Sequence, residues 1–268
     1  MPNEKDNSLR TVSPKRWALV TATSLATITA PAITTILTTT AAHATAGAEA
    51  GEAGEAGVVL TGGSTEFLTR LGYFESTYRI IATLYLEGHR DLAREHMEAS
   101  HHAFYEDIEE KLTEYSAPGF VAEADAFNAA IADDAGDEQV LTALGNVVAA
   151  LRTNEQSAGA TLSETIMSLK DLMALAAAEY SYGVHEGKVE AGIEYRDSWG
   201  FYETTRLRAV AMNDSEDADT AKAGAAILEQ LEGLDALYPS LTATDASDSA
   251  VDLTVASGWI EIIALRNK

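Results

Sequence analysis

The chain has 268 residues, 46% of them hydrophobic, and sets 42 acidic against 18 basic side chains for a formal charge of −24. That balance repels nucleic acid and anionic membrane surfaces, and it suits either cation binding or a solvated acidic exterior. The absence of cysteine removes disulfides, thiolate metal sites and cysteine nucleophiles from consideration.

Residues 1–46 read as a secretory signal. Lys5, Arg10, Lys15 and Arg16 make a basic start, residues 17–42 are uncharged and rich in Ala, Thr, Leu and Ile, and Ala44-Thr45-Ala46 offers a small-x-small cleavage site. The stretch 17–42 is also long enough to span a bilayer as a retained anchor. Its threonines and the Ala-x-Ala favour cleavage instead, giving a periplasmic or extracellular protein with no membrane insertion once the signal is gone. Residues 47–62 follow as a flexible acidic lead of Gly, Glu and Ala without apolar periodicity. Residues 63–268 form the folded domain.

Gly62-Gly63-Ser64-Thr65 is expected to cap a first helix that runs to about Leu86, Ser64 and Thr65 accepting from its free amides. Phe67, Leu71, Phe74, Tyr78, Ile81 and Tyr85 recur at helical spacing, and Gly88 supplies a stop. A second helix, 90–115, carries most of the histidines. At about 100° per residue, Ala93, Met97, His101, Phe104 and Ile108 share the core stripe. His102 falls among acids on the opposite face, and His96 sits on a shoulder with Ser100, Ala103 and Asp107. Pro118-Gly119 forces a break. Helices at 120–132 and 138–151 follow, and Thr161-x-x-Glu164 is a capping box opening a fifth that ends near residue 183. A sixth covers 190–212, a seventh runs from 213–215 to 237, and an eighth covers 250–266. Neither alternating strands nor a solenoid repeat appears, so the fold class is all-α, a bundle of seven or eight helices in one domain.

Catalytic signatures are missing. The chain has no glycine-rich dinucleotide or phosphate loop, no His-Glu-x-x-His, no calcium loop and no nucleophile elbow. A di-iron carboxylate bundle needs two Glu-x-x-His motifs. Only Glu98-x-x-His101 has the spacing, and helical phase sends those two side chains to opposite faces. A non-catalytic protein is the expectation.

The stretch 179–201 organises what remains. Glu179-Tyr180 and Glu194-Tyr195 flank a glycine-bearing turn at 183–187, so the two arms should fold back as a helical hairpin. Glu194 and Asp197, three apart, share a helix face that Glu179 should approach. Glu75 interrupts the apolar first helix between Phe74 and Tyr78, and His96 keeps a polar stripe open on the second. Buried carboxylates demand a partner. A hard cation would accept carboxylate, phenolate and imidazole together. Structural salt bridges to Arg79, Arg196, Arg206 and Arg208 would satisfy the same acids.

The block Leu172-x-x-x-Ala-Ala-Ala-Glu179-Tyr180-x-x-Gly183-Val184-x-x-Gly187-Lys188-Val189, continued by Glu194-Tyr195-x-Asp197 and Phe201, resembles the extracytoplasmic helical domain that precedes the permease in some Ftr-type iron transporters. Gly88 to Ala93, His96 and the run Tyr105 to Glu109 resemble exported bacterial helical proteins with the same hairpin. The first helix departs from those relatives, with Glu75-Ser76-Thr77 in place of Glu-Gly-His. Ala99 stands where they carry a second histidine after the one matching His96. The His-x-x-Glu of imelysin-like iron proteins is absent.

The resemblance implies an exported, non-catalytic protein serving iron or another transition-metal ion beside a membrane permease, with the family's metal site incomplete here; the spacing offers Glu179, Glu194, Asp197, His96 and Glu75 as its ligands. The competing expectation is a ligand-free structural or protein-interaction bundle with an acidic, solvent-adapted surface.

Overall fold

Helices account for most of the described backbone. The computed structural model describes residues 58–99 and 105–268, and the expected signal and most of the acidic lead lie outside that range, as do His101, His102 and Phe104. Among the described residues there are nine α-helices: α1 Ser64–Leu86, α2 Arg90–Ala99, α3 Glu109–Glu114, α4 Val121–Ala132, α5 Asp137–Ser157, α6 Leu162–Gly183, α7 Gly192–Asn213, α8 Ala218–Leu231 and α9 Ala250–Arg266. None of them is long and apolar enough to cross a membrane.

Two apolar clusters divide the interior. One is built from α6, α7, α8 and α9 through Leu172, Ala176, Phe201, Ala209, Ile227, Leu253 and Ile260. The other gathers α1, α2, α4 and α5 through Phe67, Ile81, Ala93, Phe127, Val140 and Val147. Helix α1 is buried along most of its length and packs on α2, α5, α6 and α7, so it separates the clusters and serves both.

Several local expectations are met by specific contacts. Thr161 and Glu164 form the reciprocal capping box of α6, Thr161 Oγ1 accepting from Glu164 N and Glu164 Oε2 accepting from Thr161 N. Ser64 and Thr65 behave otherwise. Gly63, at φ 70°, takes the cap position of α1, and the two hydroxyls donate to Glu164 Oε1 and to its carbonyl, tying α1 to α6.

The second helix is not continuous to 115. It ends as α2 at Ala99, and a 3-10 turn at Tyr105–Asp107 precedes the short α3. Tertiary packing wins there: the Tyr105 ring meets Phe120 edge-on at 5.0 Å, and its hydroxyl lies against Gly119. The seventh helix is also shorter, starting at the Asp217 cap and ending before Gly233, whose left-handed φ of 80° turns the chain into a 3-10 segment at Leu234–Leu237.

A small antiparallel ribbon joins α6 to α7. Strand β1, Val184–His185, pairs with β2, Lys188–Val189. Glu186 and Gly187 between them both have positive φ, 51° and 77°, which is the turn that matches strand twist in two-residue hairpins. Loop residues 244–246 add to its edge, Thr244 accepting from Val189 N and Gly187 accepting from Ala246 N.

Candidate functional site

The hairpin brings α6 and α7 together closely. A Cβ on Gly183 would lie 2.8 Å from Tyr195 N and 3.1 Å from Ala191 O, so only glycine permits this approach. About two turns before Gly183 on α6, Ala176 O accepts from Ser198 Oγ at 2.7 Å. These contacts set the last turns of α6, with Glu179, against the first turns of α7, with Glu194 and Asp197. All three acids are buried, at 0%, 5% and 2% exposure, and none stands without a partner.

Helix α2 meets the same part of α7. His96, fully buried, places Nε2 3.2 Å from Asp197 Oδ1. The approach is off the line of a hydrogen bond, and among the described residues both ring nitrogens lack hydrogen-bond partners. The shoulder position expected of His96 is therefore a core position. Next to it, Glu95 Oε1 lies 3.6 Å from Arg196 Nη2. Burial lowers the Arg196 pKa, outweighing the attraction of Glu95, Asp197 and Glu194, and its Nε is buried without a hydrogen-bond partner among the described residues. Thus two consecutive residues of α2 face two consecutive residues of α7, with a guanidinium beside the acids.

Glu75 stands apart from this group. Its carboxylate, 0% exposed, accepts from Arg79 Nη2 at 2.7 Å, Arg152 Nη2 at 2.8 Å and Arg208 Nε at 2.9 Å. Arg208 and Arg152 also reach Glu155, at 2.6 and 2.7 Å. Burial would raise the Glu75 pKa, but Arg208, Arg152 and Arg79 together overcome it and hold the carboxyl down to about 2. Three guanidiniums on one carboxylate leave it poorly suited to a metal ion, and Glu75 joins α1 to α5 and α7 instead. Arg152 was not among the arginines singled out from sequence, although its i,i+3 spacing to Glu155 marks it. Arg206, which was, pairs with Glu203.

The tyrosines of the hairpin also face elsewhere. Tyr180 donates to Leu237 O and Ser247 O, and Tyr195 donates to Ser240 O, so both hydroxyls fasten the 237–247 segment. Burial pushes the Tyr180 phenol up to about 12 and raises Tyr195 further, which disfavours phenolate ligation near neutral pH.

Among the described residues no group of three or more His, Asp and Glu side chains is arranged to hold a metal ion. The donor chemistry of the His96–Asp197 pair nonetheless fits one, combining a buried imidazole lacking hydrogen bonds with a carboxylate at contact distance. A separate cleft of about 700 Å³ beside Trp199, Tyr202, Glu229 and Tyr238 contains none of these residues.

Residues 156–262 match the iron permease-associated 4-helix bundle domain. The matched segment contains α6, α7, α8 and most of α9, the four helices that share one apolar cluster. It includes Glu179, Glu194 and Asp197; His96 and Glu75 lie before it. No curated protein and no solved structure matches the chain.

Proposed function

We propose that this is an exported, non-catalytic helical protein that binds iron or another transition-metal ion and serves its uptake beside a membrane permease. The family match supports the link to iron permeases. The His96–Asp197 contact carries the binding reading: a buried imidazole with neither nitrogen hydrogen-bonded among the described residues sits at the carboxylate of a second helix. A buried polar ring costs free energy unless it gains a partner, and an ion supplies one.

In this reading His96 and Asp197 form the fixed half of the seat. Glu194, on the same face of α7 one turn earlier, and Glu179, on the adjoining turn of α6, supply the remaining oxygen donors as the ion arrives. The ion is cargo, so the protein's part is to bind, screen charge and release. The N-terminal signal sends the chain across the membrane, and the acidic exterior attracts cations to it.

The competing reading, a ligand-free bundle, draws on Glu75, whose arginines show that a buried acid in this fold can be satisfied without metal. Metal analysis and titration of the untagged protein with Fe(II), Mn(II), Cu(II) and Zn(II), set against His96→Ala and Asp197→Asn, separates the two. The proposal expects stoichiometric binding that both substitutions weaken. Wild-type protein that takes up none of the four ions overturns it.

A further inference from the structure

Helix α9 is apolar on two opposite sides. Leu253, Ala256, Ile260, Ile263 and Ala264 face the core. On the other side Val251, Val255, Trp259, Ile262 and Leu265 are exposed by 64, 54, 46, 38 and 47%. At 100° per residue those five form one continuous stripe along the outer face. An ordinary surface helix turns charged residues outward, and a helix apolar all round is normally covered on both sides.

Gly258 lies in the middle of the outer stripe and at the midpoint of the helix. A helix-interior glycine costs about 1 kcal/mol relative to alanine. Nothing among the described residues requires it, for a Cβ at Gly258 would meet no atom of theirs within 4 Å. Glycine at that point allows a second backbone to come close from outside.

The stripe is also nearly symmetric about Gly258. Val251 and Leu265 stand equally far from it on either side, and Val255 and Ile262 almost so. The pattern is self-complementary when a second copy of the helix is laid against it in the opposite direction, as a two-fold axis requires. The charges agree, because antiparallel overlap sets Asp252 of each copy beside Arg266 of the other. Neither side chain has an ion-pair partner among the described residues of its own chain.

We propose that α9 is a homodimer interface, in which two copies cross antiparallel at Gly258, with Trp259 at the centre of the buried patch. A bilayer is a poorer occupant, since a chain of charge −24 is repelled by anionic lipid.

The absence of native cysteine makes the register directly testable. The protein, expressed with its own N-terminus and recovered as the cell processes it, is run in sedimentation equilibrium up to ~100 μM, well above a micromolar Kd. Salt at 0.15 M screens the repulsion between acidic copies beyond about 8 Å. The expected result is a dimer that Trp259→Glu weakens by roughly thirtyfold or more, as for a central interface residue, with an unchanged circular dichroism spectrum. Under mild oxidation Gly258→Cys should give a covalent dimer by itself. Val251→Cys should not, yet should cross-link when mixed with Leu265→Cys. A monomer at every concentration, or Val251→Cys that self-cross-links as readily as Gly258→Cys, overturns the proposal.

Discussion

His96 Nε2 lies 3.2 Å from Asp197 Oδ1, and this contact joins α2 to α7 with both side chains withdrawn from solvent. Among the described residues neither ring nitrogen of His96 has a hydrogen-bond partner, so the contact with Asp197 is one of proximity and charge. The acids around them give the clearest means of finding out whether a cation binds there.

Glu194→Gln removes one charge from a buried acidic cluster while keeping its size. If the cluster binds a cation, the metal-free variant should melt higher than wild type, because like charges no longer repel. It should also lose the metal response. Wild-type protein at a hundredfold excess of ion over Kd should gain about 2.7 kcal/mol, roughly 5–10 °C for a domain of this size. If Glu194 only balances Arg196, the same substitution lowers the melt with or without metal. Calorimetric scans of both proteins, with and without Fe(II), decide by sign.

Glu75→Gln should destabilise the protein strongly at neutral pH, by about 3–5 kcal/mol, because it leaves buried guanidiniums uncompensated. The effect has a defined pH window. The native carboxyl is held down to about 2 against an ordinary value of 4.5, so its stabilisation is complete above 4.5 and disappears as pH falls through about 2. Urea unfolding of wild type and variant should therefore show a wide gap at pH 7 that closes as the pH approaches 2. A gap that stays constant across that range would mean that the ion pairs contribute little.

Gly183→Ala places a methyl 2.8 Å from Tyr195 N, where backbone rather than a mobile side chain blocks it. The α6–α7 hairpin must open slightly, costing about 1–3 kcal/mol. Because Glu179 lies one turn before Gly183, the shift should also reduce metal affinity, whereas the control Gly145→Ala, where a Cβ meets open space, should not. Equal affinities in the two variants would show that the hairpin does not position Glu179 for binding.

Expression in a bacterium with a working secretory pathway should yield a protein that begins at Gly47 in the periplasmic or extracellular fraction. N-terminal mass analysis that finds intact Met1 in the membrane fraction would instead establish an anchor.

Local chemistry made much of the bundle readable from sequence. The Thr161–Glu164 box, the ends of α9 and the stop at Gly88 depend on residues a few positions apart, and all lie where spacing puts them. Long-range partners were less visible. Helical phase marked Glu75 as a buried acid, but Arg152 is 77 positions away and no periodicity connects them. The same limit applies to Tyr180 and Tyr195. In sequence they flank Glu179 and Glu194, whereas their hydroxyls reach across to carbonyls 45 to 67 positions on. Break points set by packing, such as Tyr105 against Phe120, were also hidden from a one-dimensional reading.

The imidazole at this contact comes from outside the segment that matches the permease-associated domain. Within 156–262 the chain has one histidine, His185, exposed on the ribbon, so the four-helix unit brings no buried imidazole of its own to these acids. Helix α2 lends it. A cluster of carboxylates by itself prefers hard ions, and one nitrogen donor moves that preference towards the borderline ones. Ion selectivity in this protein would thus be a property of how a neighbouring helix docks, adjustable at α2 without altering the four-helix unit.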